Sequence, residues 1–288
     1  MTAPAITTTE LPVSVPLTKP VLITNLVATA AVRPPHARLR NLYFNVFGGE
    51  LQGEVETKTG TVPLPFSGKI AVQRLQLGSL MEAVGTDKLS VSGTASAEME
   101  MRGEGVTLPE LTRTLEGAGH LLVKDGKVEG INLLKEAATL FKAMGITKDL
   151  GETTVFSMLE SNFKMQQGIV RVDRLTARSP DFDATSTGEI GFDKTLRLNV
   201  SLLLSEALSK AIAGSSPIAK ALMTHGRLSV PMVISGSTQA PRYALDTKSL
   251  GSNLQELVKG KLGELLKGQN GEDILRQGEK ALKKLFEQ

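Results

Sequence analysis

From Leu89 to Met101 every second residue is apolar or small: Leu89, Val91, Gly93, Ala95, Ala97, Met99 and Met101. The residues between them, Ser90, Ser92, Thr94, Ser96, Glu98 and Glu100, are all hydrophilic. A period of two is that of a β-strand, whose side chains alternate between faces. Thirteen residues at about 3.3 Å each reach about 43 Å, well beyond the usual strand of about five or six residues. The pattern returns at Leu196, Leu198, Val200, Leu202 and Leu204, alternating with Arg197, Asn199 and Ser201, with Leu203 the one apolar exception. Strands of this kind build an antiparallel sheet with one greasy and one wet face. What lies over the greasy face decides the function.

A chain of 288 residues can bury a substantial core, as one large β-domain or two ordinary ones. Its apolar residues are mostly aliphatic and small, since aromatics make up only 4% and Trp is absent. That suits a smooth lining better than a bulky core. Basic and acidic residues nearly balance, 33 against 30, which argues against a nucleic-acid partner. Without cysteine there is no disulfide, thiolate metal site or cysteine nucleophile. Nowhere do about eighteen apolar residues run uninterrupted, and the Thr/Pro-rich start has neither a basic n-region nor an apolar h-region. As written, the chain carries neither an address nor an anchor.

The spacing predicts three regions: a disordered Thr/Pro leader over 1–19, a β-domain with inserted helices over 20–247, and amphipathic C-terminal helices over 248–288. In the first meander, strands at 21–32, 37–47, 51–58 and 66–77 are separated by Arg33-Pro34-Pro35, Gly48-Gly49 and the Gly60 region. A short helix at 78–85 leads to the long strand, which ends at Gly103-Glu104-Gly105. A second helix at 108–115 has Thr107 as N-cap and Pro109 in its first turn. Asp125-Gly126 reads as a hairpin turn, and 132–144 as an amphipathic helix. A second meander spans 154–204, followed by helices at 206–213 and 217–223 and a strand at 228–234. The fold class is therefore α+β, dominated by a long antiparallel sheet.

Converging polar residues of the kind catalysis needs are missing from this pattern. His36, His120 and His225 lie far apart in sequence with no i, i+4 partner, and read as surface or turn histidines. Asp181-Phe182-Asp183 opens like a calcium loop, but Ser186 stands at the sixth position and Phe192 at the twelfth. Gly103-Glu104-Gly105 has Leu108 where a dinucleotide loop needs its third glycine. No catalytic residue, metal site or cofactor is expected. In the C-terminal region Glu272, Asp273 and Glu279 interrupt Arg276, Lys280, Lys283 and Lys284, so these helices read as solvated faces docked on the sheet.

Two stretches resemble a known family. Leu115-Glu116-Gly117-Ala118-Gly119-His120-Leu121 followed by Asp125-Gly126-Lys127-Val128-Glu129-Gly130-Ile131-Asn132-Leu133 resembles a signature of the AsmA family, in the C-terminal region of its members. Thr154-Val155-Phe156-Ser157, Leu159, Phe163, Gly168, Leu175, Ser179-Pro180 and Gly188-Glu189-Ile190-Gly191 are similar to the segment that follows it. Here the signature residues Gly117, Gly119, Asp125, Gly126, Gly130, Gly188 and Gly191 are turn and bend positions, which describe a shape and not a reaction.

The resemblance implies a non-enzymatic envelope protein concerned with outer-membrane biogenesis. Its localisation would be periplasmic, and inner-membrane-associated if this chain is part of a longer anchored one. Larger relatives in that group are similar to bridge-like lipid-transfer proteins, whose curved sheets form a U-shaped apolar trough. The expected ligands are phospholipid acyl chains, held by Leu89, Val91, Gly93, Ala95, Ala97, Met99, Met101, Ile190, Leu196, Leu198, Val200 and Leu202. In mid-strand, Gly93, Ala95 and Ala97 leave room for a tail, and the two methionines adapt to it. At about 0.8 kcal/mol per methylene, a sixteen-carbon tail gains on the order of 10 kcal/mol before association costs. Alternation names the apolar face without naming its cover. The other reading is thus a closed core in a scaffold that contacts envelope assembly proteins through an edge strand or the C-terminal helices.

Overall fold

The computed structural model describes residues 5–13, 21–85, 90–129, 154–213, 219–220 and 222–249. These residues form one antiparallel sheet of fourteen strands, laid down almost entirely in chain order. The first half runs β1 (Ala5–Val13), β2 (Val21–Arg33), β3 (His36–Val46), β4 (Gly49–Lys58), β5 (Pro65–Gln76), β6 (Ser90–Glu104) and β7 (Glu116–Glu129). The second continues with β8 (Thr154–Gln166), β9 (Ile169–Arg178), β10 (Phe182–Gly191) and β11 (Thr195–Leu204). Beyond it, β13 (Arg227–Ser237) pairs with β11, with β12 (Met223–Thr224) and with β14 (Ala240–Leu245). The sheet is not closed: β1 stands at one edge, and β12 and β14 share the other, both paired to β13.

Cross-strand register turns the period of two into a surface. One row on the inner face reads Val55, Gly68, Met101, Gly117, Met165, Val170, Ile190 and Leu196 across successive strands. The next reads Gly53, Ile70, Met99, Gly119, Phe163 and Val172. Side chains that share a row stand directly opposite one another, about 5 Å apart, so alternation in each strand becomes a continuous apolar sheet face. The outer face is a field of cross-strand ion pairs: Arg38 with Glu56 at 3.0 Å, Lys69 with Glu100 at 2.6 Å, Arg102 with Glu116 at 2.6 Å and Arg171 with Glu189 at 2.9 Å.

Six of the strand pairings slip register: β2 with β3, β3 with β4, β5 with β6, β6 with β7, β8 with β9 and β9 with β10. Most of these slips carry a residue at positive φ, among them Asn25, Asn41, Arg74, Asp125 and Gly188. Each such bulge bends its strand and adds right-handed twist, which curls the sheet around its apolar side.

Three helices sit at strand ends. The first, α1 (Leu77–Val84), follows β5 and stops at Gly85, a left-handed C-cap whose N–H donates to the Met81 carbonyl. The second, α2 (Leu108–Thr114), starts at a capping box in which the Thr107 hydroxyl accepts from the Glu110 N–H and the Glu110 carboxylate accepts from the Thr107 N–H. The third, α3 (Glu206–Ala213), follows β11 and packs on β13.

Two sequence expectations are corrected here. The leader is not disordered throughout: Ala5–Val13 is β1, paired along its length with β2. Its run of threonines favours a strand, and Pro12 is tolerated because β1 is an edge strand with one side free of ladder bonds. Nor is Asp125-Gly126 a hairpin turn, because β7 runs straight through it. Positive φ, for which this dipeptide is suited, is used at Asp125 (φ 50°) to make a bulge against β6. The predicted helix at 132–144 and nearly all of the region 248–288 lie outside the described residues.

Candidate functional site

The apolar face is buried to different depths along its length. At the β10–β14 end it is a closed core: Phe182, Ala184, Leu202, Leu204, Val230 and Met232 pack with Ile212 of α3 and Leu222. Arg227 fastens this end from beside the core, donating to the Leu204 carbonyl at 2.7 Å, the Leu203 carbonyl at 2.9 Å and the Asp183 carboxylate at 2.8 Å. Asp183 of the incomplete calcium motif is thus engaged by an arginine.

Farther along the sheet, α1 covers one margin of the face. Ala83 joins Val21 and Val46, and Leu77 packs against Ala95, Val123 and Phe156. From there burial falls along β6: Ala95 is 5% exposed, whereas Ala97, Met99 and Met101 are half-buried. The same gradient runs down β8, from buried Phe156 to half-buried Phe163 and Met165. Ile70, Met99 and Met101 belong to none of the buried clusters among the described residues. Helices meet β6 at its ends, α1 beside Ala95 and α2 where the Thr114 hydroxyl donates to the Glu104 carbonyl at 2.7 Å. Hollows of about 800 and 1060 Å³ lie against β3–β8 and β3–β7, the first bounded by Leu39, Val55, Met101 and Met165 together with Arg38, Lys69 and Glu116, the second by Leu42, Ile70 and Met99 together with Lys69, Glu98 and Glu100.

The expected lining residues therefore separate. Val91, Ala97, Met99 and Met101 lie half-buried on the inner face of β6. Ala95 is sealed beneath α1. Leu196, Val200 and Leu202 do not line an opening: they are buried in the core at the far end, Leu202 with no exposed surface, and Ile190 and Leu198 pack against that core. The reason is local, since α3 follows β11 directly and folds back over the strands next to it. Gly93 leaves no vacancy for a tail. It has φ 127° at the β6–β7 bulge, where a Cβ would fall 2.9 Å from the Gly126 Cα and the Lys124 carbonyl. Leu89 lies outside the described residues.

Register also adds residues that one strand's periodicity does not reveal. Leu121, Phe163 and Met165, with Val55, Ile70 and Val72, share rows with Ala97, Met99 and Met101. The signature glycines serve this surface. At Gly119 a Cβ would stand 2.6 Å from the Glu98 carbonyl and 2.7 Å from the Phe163 ring, and at Gly117 it would stand 2.5 Å from the Glu100 carbonyl. Gly126 gives its Cβ space to the Phe156 ring, Gly188 bulges at φ 142°, and Gly191 precedes the turn held by Asp193 and Thr195. Gly130 lies outside the described residues.

The inner face carries the buried hydroxyls of Ser161 and Ser186, while both histidine–carboxylate pairs lie on the outer face or at a turn. His36 meets Glu56 at 3.2 Å and His120 meets Glu160 at 2.9 Å, both pairs open to solvent. The N–H groups of Thr107 and Val106 and the Thr107 hydroxyl donate to Glu110, lowering its pKa from 4.5 to about 2. That shift reports a helix cap and not an acid–base pair. No cluster of three potential metal ligands and no helix long and apolar enough to cross a membrane occurs among the described residues.

A search of curated proteins and of solved structures finds no match to the chain. The AsmA family profile matches residues 14–175, more than half the chain and the part that carries β2–β8 with the half-buried apolar face. The chain belongs to the AsmA family, a family of non-enzymatic, envelope-associated proteins.

Proposed function

We propose that the protein binds lipid acyl chains along the inner face of β3–β8 and in this way supports phospholipid transport in the bacterial envelope, with the bulk of the chain in the periplasm. The observation that carries this reading is the depth of burial. Ile70, Met99, Met101, Phe163 and Met165 form a continuous apolar surface that stays only partly buried, while the same face is a sealed core under α3. Six strands at about 4.8 Å give this stretch a span of about 24 Å, enough for an extended tail that occupies about 15 Å of a bilayer leaflet. The lining is aliphatic and thioether with one aromatic ring, Phe163, offering contact area that selects for hydrocarbon and not for a particular head group. Head groups would remain at the solvent margin.

The test is organic extraction of the full chain purified from a bacterial host, with its lipids identified by mass spectrometry. Phospholipid should be recovered from the parent protein and depleted by Met99→Trp and Ala97→Trp, which fill the trough without entering a sealed cluster. Protein recovered free of lipid in every case overturns the reading and favours a scaffold that acts through protein contacts.

A further inference from the structure

We infer that the rim of the sheet formed by the turns β2–β3, β4–β5, β6–α2, β8–β9 and β10–β11 docks edge-on onto a phospholipid bilayer. Each of these five successive connections carries an exposed aliphatic or aromatic side chain at its tip or beside it: Val32, Val62, Val106, Ile169 and Phe192. Their exposure ranges from 39% at Phe192 to 98% at Val62. Adjacent tips lie two strands apart, about 10 Å, so the series extends for about 40 Å along one rim. Among the described residues of the opposite rim, Phe47 is tucked into the cluster under α1, the β9–β10 connection is Ser179-Pro180-Asp181, and Leu22 and Val155 stand exposed just inside the starts of β2 and β8.

Cations adjoin three of the tips. Arg33 adjoins Val32, Lys58 ends β4 just before the connection that carries Val62, and Lys194 lies in the same turn as Phe192; among the described residues none of the three makes an ion pair. Three carboxylates share this rim and keep their charge: Glu104, Glu110, which accepts from Val106 and Thr107, and Asp193, which accepts from the Thr195 N–H and hydroxyl. Single apolar tips beside exposed cations match an interfacial mode of binding, in which side chains enter the acyl boundary and cations meet phosphates. A row of isolated tips suits a fluid surface better than a protein partner, which needs a contiguous complementary patch.

The inference rests on the trough reading for its purpose, because the inner face of β6 and β8 loses its cover toward this same rim. A tail could then pass between bilayer and trough without crossing water.

The natural absence of Trp supplies the test. Val62→Trp and Phe192→Trp place single probes on the rim; Leu22→Trp and Val155→Trp place them at exposed positions near the other ends of their strands. With vesicles of phosphatidylethanolamine and phosphatidylglycerol, the rim probes should shift to shorter wavelength and be quenched by brominated lipid, and the control probes should not. Val62→Glu and Phe192→Glu, checked for parental circular dichroism, should each weaken vesicle binding about tenfold or more, the scale of withdrawing one such side chain from hydrocarbon. Rim probes that stay silent, or controls that respond equally, overturn the inference. Lipid recovery from the same preparations separates the two readings: lipid present with a silent rim refutes the docking alone, and lipid absent with a responsive rim refutes the trough alone.

Discussion

Truncating one side chain in the sealed part of the inner face and one in its open part separates two environments that have the same sequence pattern. Leu202 has no exposed surface and stands in a row between Ala184 and Val230, with Leu204, Ile212 and Met232 in the same cluster. Leu202→Ala removes the transfer free energy of the lost carbons and leaves a cavity that the row cannot collapse to fill, costing about 3 kcal/mol within the usual range of 2–5 kcal/mol. Met99 is half-buried in a row with Ile70 and Gly119 and lies outside the sealed clusters. Met99→Ala forfeits most of a side-chain transfer term of about 2 kcal/mol and leaves no enclosed void, so it should cost about 1–1.5 kcal/mol. Urea denaturation followed by circular dichroism measures both, with the midpoints compared at a common slope. Similar losses of about 3 kcal/mol for both variants would refute the reasoning, because they would place Met99 in a closed core.

Gly126→Ala should destabilise by about 1–3 kcal/mol in thermal melts, because the new methyl occupies the space of the buried Phe156 ring. Arg227→Ala should cost about 1–3 kcal/mol in urea titrations through loss of its bonds to two carbonyls and Asp183, and Arg227→Lys should recover only part of it. Glu110 has its pKa lowered from 4.5 to about 2, so its contribution is present above about 4.5 and is lost as pH falls toward about 2. Urea midpoints measured down that range should fall less steeply for Glu110→Gln than for the parent chain; an unchanged slope would rule out the cap as a source of acid sensitivity.

Much of the fold was legible because an amphipathic strand announces itself by alternation. The strands around Leu89–Met101 and Leu196–Leu204, the helix capped by Thr107, and both meanders follow from periodicity and turn residues alone. Asp125-Gly126 misled because a hairpin turn and a bulge make the same demand, positive φ, and only register against β6 distinguishes them. β1 was obscured by Pro12, and β14 by its short length and Pro241. For the site the limit is more basic. Leu198 and Met99 obey the same period of two, yet one packs against a core beneath α3 and the other does not. Cover is a property of tertiary contacts, on which alternation is silent. The rows that add Ile70, Phe163 and Met165 required register, and the glycine signature became mechanical only when Gly119 was seen beneath Phe163.

Photocrosslinking at adjacent positions of β6 reads the inner face most directly. A benzophenone amino acid installed at Met99 points inward and one installed at Glu100 points outward on the same strand. Ultraviolet irradiation of the full chain in its bacterial host, followed by intact mass measurement, should give a phospholipid adduct from the Met99 position and none from Glu100. Equal labelling at both positions, or none at Met99, would contradict an apolar trough open to lipid.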